Sequence, residues 1–162
     1  MMTVNATATI QILRLFYDRI KGADNFYCGV MGSISGLMSS PSAAVYAASK
    51  AAICRLIESV NIELEVAGTK NRILNVSPAS FKGSRFYGGQ NQLELLEELA
   101  EEIIGHLFAA DILFIPQYEE TFKAVLECVF KSINPSEKRR NMQIWRKTKR
   151  ETGSRCRISL MR

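Results

Sequence analysis

The sequence predicts an α/β fold in which helices flank a parallel sheet. Two short apolar runs, 26–31 and 72–76, are typical of buried strands, and a long helical pattern over 42–66 lies between them. Because a helix between two strands forms a crossover connection, the two strands should run parallel. Ligands bind at the carboxyl ends of such strands, so the residues that follow each strand are the first candidates for a site.

The rest of the chain supplies further helices and one more extended segment. Residues 4–20 form a helical pattern that is apolar around most of its circumference, which predicts burial on two sides. Residues 81–91 form a glycine- and aromatic-containing loop, either a lid over substrate or an ordinary surface loop. After it come an amphipathic helix 93–108, an apolar stretch 111–116 that is a strand or an extended packing segment, and a second amphipathic helix 118–133.

The residue types at the helix ends and on the helix faces predict where these helices begin and end and which side each one buries. Ser42 is placed to cap the N-terminus of helix 42–66, and Gly68 stands where a glycine commonly ends a helix. His106, late in helix 93–108, is expected at a helix end or on the surface, not as a metal ligand. The glutamates of that helix form a solvated face and not a catalytic pair. Its apolar face consists of Leu93, Leu96, Ala100, Ile103 and Leu107.

The composition is that of one ordinary globular domain. At 162 residues, with 47% apolar and 23% charged residues, the chain is long enough to bury a core. No apolar run reaches the roughly 18 residues of a membrane span, and the N-terminus lacks the pattern of a signal peptide. We therefore expect a cytoplasmic protein without a membrane partner. Its cysteines show no metal-binding spacing and are expected to be reduced, packed thiols: Cys28, Cys54, Cys128 and Cys156.

Charge separates a body, 1–136, from a tail, 137–162. The tail holds ten Lys/Arg and two acids, a net charge of +8, which leaves −3 for the body out of the overall +5. It has few apolar residues and no clear period, which is typical of a disordered, solvated segment. A basic segment with Trp145 as a stacking group is also compatible with nucleic-acid binding. We expect the solvated tail and not a nucleic-acid partner.

A reactive side-chain pattern lies between residues 28 and 50. Tyr46 and Lys50 are four residues apart, which places them on one helix face with their tips able to converge. An ammonium beside a phenol stabilises the phenolate, so this tyrosine can give a proton to a carbonyl oxygen or take one from an alcohol. Ser33, just after the first strand, is placed to hold the same oxygen. The pattern therefore indicates carbonyl–alcohol redox chemistry.

These residues resemble the active-site motif of the short-chain dehydrogenase/reductase (SDR) family. In that family a serine precedes a Tyr-x-x-x-Lys motif by a fixed distance, and Ser33 and Tyr46 differ by the expected 13 positions. The S-x-x-G that ends at Gly36 and the wording YAASKAA agree with the family pattern. Asn5 lies 28 positions before Ser33, where the family has a further catalytic residue, an asparagine.

The resemblance implies a partial Rossmann-like parallel sheet and reversible hydride transfer between NAD(P)(H) and a small-molecule carbonyl or alcohol substrate. Tyr46 would be the acid/base, Lys50 would support it and bond the nicotinamide ribose, and Ser33 would hold the substrate oxygen. Asn5 would position a water in the proton relay, and no metal is implied. The residues bordering the nicotinamide would be Pro78, Ala79, Ser80 and Phe81, although alanine and phenylalanine replace the family's glycine and valine.

One part of the family pattern is missing. The glycine-rich turn that binds the pyrophosphate, Thr-Gly-x-x-x-Gly-x-Gly, does not occur in the sequence. The resemblance is close over 4–90 and loose over 91–133, so the sequence resembles the C-terminal half of a reductase. Catalytic helices and strands would occupy 4–80, with the lid and amphipathic helices in 81–133. We expect NAD(P)(H) to bind the isolated chain weakly or not at all.

Two functions from different classes therefore remain open. The first is an NAD(P)(H)-dependent oxidoreductase with a Ser-Tyr-Lys site, and the second is a non-catalytic fragment that acts only through association. In the family, helices corresponding to 4–20 and 42–66 serve for dimerisation. The resemblance thus implies a homo-oligomer formed through these two helices.

Overall fold

The computed structural model describes residues 1–38, 42–80, 83–85, 90–123 and 126. The chain forms two compact units, 1–117 and 118–162. The second unit opens with a π-helical turn, Tyr118–Phe122. The basic tail, most of the predicted helix 118–133, and Phe81 with most of the loop 81–91 lie outside the described residues.

Among the described residues, three parallel strands form one sheet in the order β1–β2–β3. These are β1 (Cys28–Met31), β2 (Ile73–Val76) and β3 (Leu113–Phe114). Cys28 lies opposite Ile73, and Val76 lies opposite both Met31 and Phe114. The predicted fold class, a partial Rossmann-like parallel sheet flanked by helices, is confirmed, and the apolar stretch 111–116 contains a strand.

The flanking helices are α1 (Ala8–Lys21), α2 (Ala44–Ala67) and α3 (Glu97–Phe108). A π-helical turn, Thr3–Thr7, leads into α1, and a 3₁₀ turn, Leu93–Leu95, precedes α3. Helix α2 connects β1 to β2 and is the predicted crossover. It positions the candidate site because its N-terminal turns follow the end of β1.

The two ends of α2 differ in how well the sequence predicted them. Gly68 ends the helix as predicted, with a left-handed φ of 77° and an N–H bonded to the carbonyls of Glu65 and Leu64. The prediction that Ser42 caps the N-terminus is wrong. The helix begins at Ala44 after Ala43, and Ser42 has a left-handed φ of 65°. A capping residue has extended backbone geometry directly before the first turn, which Ser42 does not.

The core lies between α1, α2 and β2. All four residues of β2 are buried, as expected of a central strand in a parallel sheet. The core residues that belong to α2 recur every three or four positions, so they lie on one face of that helix. The core residues are Leu13, Ile20, Ile53, Ile57, Val60, Leu64 and Ile73.

Helix α1 is buried on one side only in the described part of the chain. Leu13 and Ile20 are buried, but the opposite side exposes Ile12, Leu15 and Phe16. A helix that is apolar all round is buried on every side only if other parts of the structure pack against each side. Among the described residues, no other element covers the side of α1 that carries Ile12, Leu15 and Phe16. This leaves an apolar surface on α1, defined by Ile12, Leu15 and Phe16.

The predicted apolar face of α3 is also partly wrong. Leu93 and Ala100 are exposed, whereas Leu96, Leu99 and Ile103 are half-buried. Leu93 belongs to the 3₁₀ turn, which rotates the chain by a different angle per residue than an α-helix. The prediction assumed that the α-helical period holds from residue 93 onward. The apolar face that it gave is therefore rotated away from the face that α3 buries.

Two buried asparagines fix β2 and the loop before β1. Asn61 on α2 donates from Nδ2 to the Ile73 carbonyl and accepts at Oδ1 from the Ile73 N–H, both at 2.8 Å. Asn71 accepts at 3.0 Å from the N–H of Phe26. Its amide nitrogen donates to the backbone carbonyls of Ile20, Gly22 and Asp24. These bonds set where β2 begins against α2, and therefore where its carboxyl end lies.

Candidate active site

A pocket of about 470 Å³ lies at the carboxyl ends of β1 and β2. The site residues predicted from the sequence that line it are Ser33, Tyr46, Lys50, Pro78, Ala79 and Ser80. The other described lining residues are Met31, Gly32, Ile34, Ser35 and Ser84. The pocket is thus in the crevice expected for a parallel sheet.

Ser33 is held by the turn that follows β1. It is 6% exposed, and its Oγ accepts a hydrogen bond from the Ser35 N–H at 3.2 Å. The Ile34 N–H donates to the Pro78 carbonyl at 3.0 Å, which ties this turn to the loop after β2. A hydroxyl oxygen that accepts from Ser35 can still donate its own hydrogen to another oxygen.

Tyr46 and Lys50 lie one turn apart near the start of α2. The Lys50 Nζ is 5.9 Å from the centre of the Tyr46 ring, and it donates to the Met31 carbonyl at 2.8 Å. Burial lowers the pKa of the Lys50 amine from its ordinary value, and an electrostatic contribution from Cys54 acts in the opposite direction. The amine is therefore partly desolvated and anchored at the end of β1, beside the tyrosine ring.

Lys50 is the only charged side chain among the described lining residues. The remaining polar groups there include the Tyr46 phenol and the Ser33 hydroxyl. The His106 side chain is elsewhere, in the last turn of α3, where Nδ1 lies 2.7 Å from Asp111 Oδ2 and the ring stacks on Phe114. Chemically, the pocket offers a phenol, an amine and a hydroxyl to an oxygen-containing ligand.

Glycines allow the elements around the pocket to approach closely. A Cβ at Gly36 would lie 2.7 Å from the carbonyl carbon of Lys50 and 2.9 Å from Cys54 Sγ. A Cβ at Gly32 would overlap the Asn75 Oδ1 and Ser77 Oγ atoms. Each glycine therefore permits a contact between two elements that any side chain would push apart.

A buried polar cluster lies next to the pocket. Ser77, fully buried, donates from Oγ to Asn75 Oδ1 at 3.0 Å, and Asn75 Nδ2 contacts Cys54 Sγ at 3.4 Å. Sequence reasoning missed these residues, because Asn75 and Ser77 read only as strand and strand-end positions. The contact with Cys54 joins residues 21 positions apart, which no local pattern predicts.

Asn5 does not line the pocket. It lies in the π-helical turn Thr3–Thr7, and its Nδ2 donates to Ser49 Oγ at 3.1 Å. Ser49, which sequence reasoning also missed, donates in turn to the Tyr46 carbonyl at 2.7 Å. Asn5 is therefore connected to the helical turn of Tyr46 and Lys50 through one intervening side chain. Phe81, predicted beside the nicotinamide, lies outside the described residues.

Comparison with known families agrees with the motif. The family model for short chain dehydrogenases matches residues 1–94, a range that contains every predicted site residue. The chain belongs to the short-chain dehydrogenase family. Members of this family are oxidoreductases that act on small molecules and generally bind NAD(P)(H). A search of curated proteins finds no match to the chain.

Two other features are absent from the described residues. None of their helices is long and apolar enough to cross a membrane. No three or more His, Cys, Asp or Glu side chains within the described ranges are arranged so that they could hold a metal ion.

Proposed function

We propose that this short-chain dehydrogenase catalyses reversible hydride transfer between NAD(P)(H) and a carbonyl or alcohol substrate. One observation carries the proposal: Ser33, Tyr46 and Lys50 line the same pocket at the carboxyl ends of β1 and β2. This combination places a phenol, an amine and a hydroxyl in one pocket. The resemblance to the family assigns the same three residue types to catalysis.

Each of the three residues has a role consistent with its contacts. Tyr46 gives a proton to the substrate oxygen during reduction and removes it during oxidation. Lys50, with Nζ 5.9 Å from the tyrosine ring centre, places its amine beside the acid/base residue. Ser33 donates its hydroxyl hydrogen to the substrate oxygen, since its Oγ already accepts from Ser35. The resemblance gives Asn5 a water-positioning role at this site.

We infer that the nicotinamide end of NAD(P)(H) binds in this pocket. The volume of about 470 Å³ and the apolar lining residues Met31, Ile34 and Pro78 are compatible with a flat ring and a ribose. Lys50 would bond the ribose, and the segment 78–81 would border the ring, with Ala79 and Ser80 in the lining. When bound, the cofactor supplies or accepts the hydride.

We further expect the affinity of the isolated chain for NAD(P)(H) to be weak. The glycine-rich turn that the family uses for the pyrophosphate does not occur in the sequence, so the nicotinamide end would provide most of the contacts. A dissociation constant in the low micromolar range for the isolated chain would contradict this expectation.

A fluorescence titration with NADH and with NADPH tests the proposal. We expect saturable binding that weakens about tenfold or more in Lys50→Ala, because a hydrogen bond to a charged group is lost. Lys70→Ala, which removes an exposed lysine outside the pocket lining, is the matched control and should bind like the wild type. Equal binding by wild type and Lys50→Ala would contradict the assignment of Lys50. Tyr46→Phe should retain binding and lose turnover.

A second candidate function is non-catalytic association. It is favoured by the apolar surface of α1, where Ile12 is 55%, Leu15 80% and Phe16 43% exposed. We propose that a second copy of the chain covers this surface, in a homo-oligomer formed through helices 4–20 and 42–66. Leu15→Glu should shift the mass measured by light scattering toward the monomer. Ile104→Glu, at an exposed apolar position of α3, should not. A wild-type chain that is monomeric at all concentrations would refute this association.

A further inference from the structure

Ser49 occupies a position in α2 between the two residues proposed for catalysis. It is completely buried, its Oγ donates to the Tyr46 carbonyl at 2.7 Å, and the same Oγ accepts from Asn5 Nδ2 at 3.1 Å. These two bonds join the π-helical turn Thr3–Thr7 to the helical turn that carries Tyr46 and Lys50. The connected residues are 44 positions apart in sequence.

The direction of these hydrogen bonds determines what each residue does. A serine hydroxyl has one hydrogen, and in this arrangement it is committed to the Tyr46 carbonyl. The Asn5 amide nitrogen can only donate, so it keeps Ser49 Oγ in the acceptor role on that side. Hydroxyl bonds to the carbonyl three or four residues earlier also bend helices locally. The hydrogen bond from Ser49 to the Tyr46 carbonyl therefore depends on how Asn5 orients the Ser49 hydroxyl.

Asn5 is itself fixed by its own backbone bonds. Its N–H donates to the Met1 carbonyl at 2.9 Å, and its carbonyl accepts from Thr9 Oγ1 at 2.7 Å. With both backbone groups paired, the side-chain amide is presented to Ser49 from a defined position. The contact thus has the properties of a support for α2 and not of a group that reaches into the pocket.

We propose that Asn5 and Ser49 are positioning residues for the active site, with Asn5 acting through Ser49 on the orientation of the Tyr46–Lys50 turn. Neither side chain touches the substrate in this proposal. It rests on the proposed function for its catalytic consequence. The geometric part, that Asn5 controls the environment of Lys50 through Ser49, does not require cofactor binding.

The central test is Asn5→Asp in the full-length chain. Aspartate has nearly the same shape but only accepts hydrogen bonds when ionised, so the Ser49 hydroxyl should turn toward residue 5 and leave the Tyr46 carbonyl. The readout is the spectrum of isotope-labelled dimethyl-lysine groups, in which the Lys50 signal is identified by its loss in Lys50→Arg. We expect this signal to shift in Asn5→Asp and in Ser49→Ala. In Ser49→Ala, the Asn5→Asp change should add no further shift.

Ser59→Ala is the matched control, because it removes a hydroxyl bond of the same kind within α2, from Ser59 Oγ to the Arg55 carbonyl at 2.8 Å, at a position that does not line the pocket. It should leave the Lys50 signal in place. Ser49→Thr, which keeps the hydroxyl, should restore the wild-type position. If Asn5→Asp and Ser49→Ala lower only stability and the Lys50 signal does not move, the residues are structural and the proposal is wrong.

A second readout separates this proposal from the proposed function. If the chain reduces a carbonyl substrate, Ser49→Ala should lower kcat about tenfold or more with little change in KM, since misplaced catalytic groups act on the transition state. An unchanged kcat would overturn the positioning role. Absence of cofactor binding by the wild type would count against the proposed function alone, because the Lys50 signal is measured without cofactor.

Discussion

Replacing Gly36 by alanine tests how closely the turn after β1 must approach α2. The added Cβ would lie 2.7 Å from the carbonyl carbon of Lys50, 2.8 Å from its oxygen and 2.9 Å from Cys54 Sγ. Ordinary contacts begin near 3.4 Å, so the turn and the helix must separate by about 0.7 Å (3.4 minus 2.7). Two of these neighbours are backbone atoms within α2, and no side-chain rotation can relieve the overlap.

The expected cost follows from this displacement. Overpacking of a well-packed contact destabilises proteins by about 1–3 kcal/mol. In a domain of this size each kcal/mol lowers Tm by about 2–4 °C, so a loss of about 2 kcal/mol lowers it by about 4–8 °C. Since the displaced backbone belongs to Lys50, the amine should also lose its 2.8 Å bond to the Met31 carbonyl. We therefore expect weaker NAD(P)H binding together with lower stability.

Thermal unfolding followed by circular dichroism is the assay. Gly105→Ala is the control, because Gly105 lies inside α3 and a Cβ there would meet nothing within 4 Å. That substitution should raise stability by about 0.5–1 kcal/mol, the usual gain of alanine over glycine within a helix. If Gly36→Ala unfolds at the wild-type temperature or above it, the close approach of this turn to α2 is not a requirement of the fold.

Two other predictions concern the attachment of α2 to its neighbours. Desolvation raises the pKa of the Glu63 carboxyl above its ordinary value of 4.5, and the hydrogen bond from Tyr17 has a smaller effect in the opposite direction. The folded chain therefore binds this proton more tightly than the unfolded chain does. As a result, stability should fall as the pH rises from 4.5 through the raised pKa. Glu63→Gln should flatten this dependence in pH-dependent urea titrations and unfold at higher urea near neutral pH; an unchanged profile would contradict it. Asn61→Leu leaves the Ile73 N–H and carbonyl without their buried partner and should cost about 2–5 kcal/mol by urea unfolding. Ser59→Ala, at an exposed position, should stay within about 0.5 kcal/mol of wild type, and similar values for the two variants would refute the role of Asn61.

Local patterns in the sequence determined the class of the fold and the place of its chemistry. The apolar runs that became β1 and β2, the helical period of α2 and the glycine at 68 each depend on a few neighbouring residues. Tyr46 and Lys50 share a helix face because they are four residues apart, whatever packs around them. For the same reason the family motif is readable from the order of residues alone, and the prediction of a parallel sheet followed from the succession of strand, helix and strand.

The tertiary structure alone decided which groups meet across long separations in the chain. Three such contacts join different elements: Asn61 with Ile73, Asn75 with Cys54, and Asn5 with Ser49. No pattern in the sequence indicates which residue an asparagine or serine will bond. Which side of α1 is exposed and how the apolar face of α3 is displaced could not be predicted, because the packing around α1 and the 3₁₀ turn before α3 are not set by a local pattern. The motif implies a place for Asn5 in the proton relay, but its contact with Ser49 depends on how two helices pack.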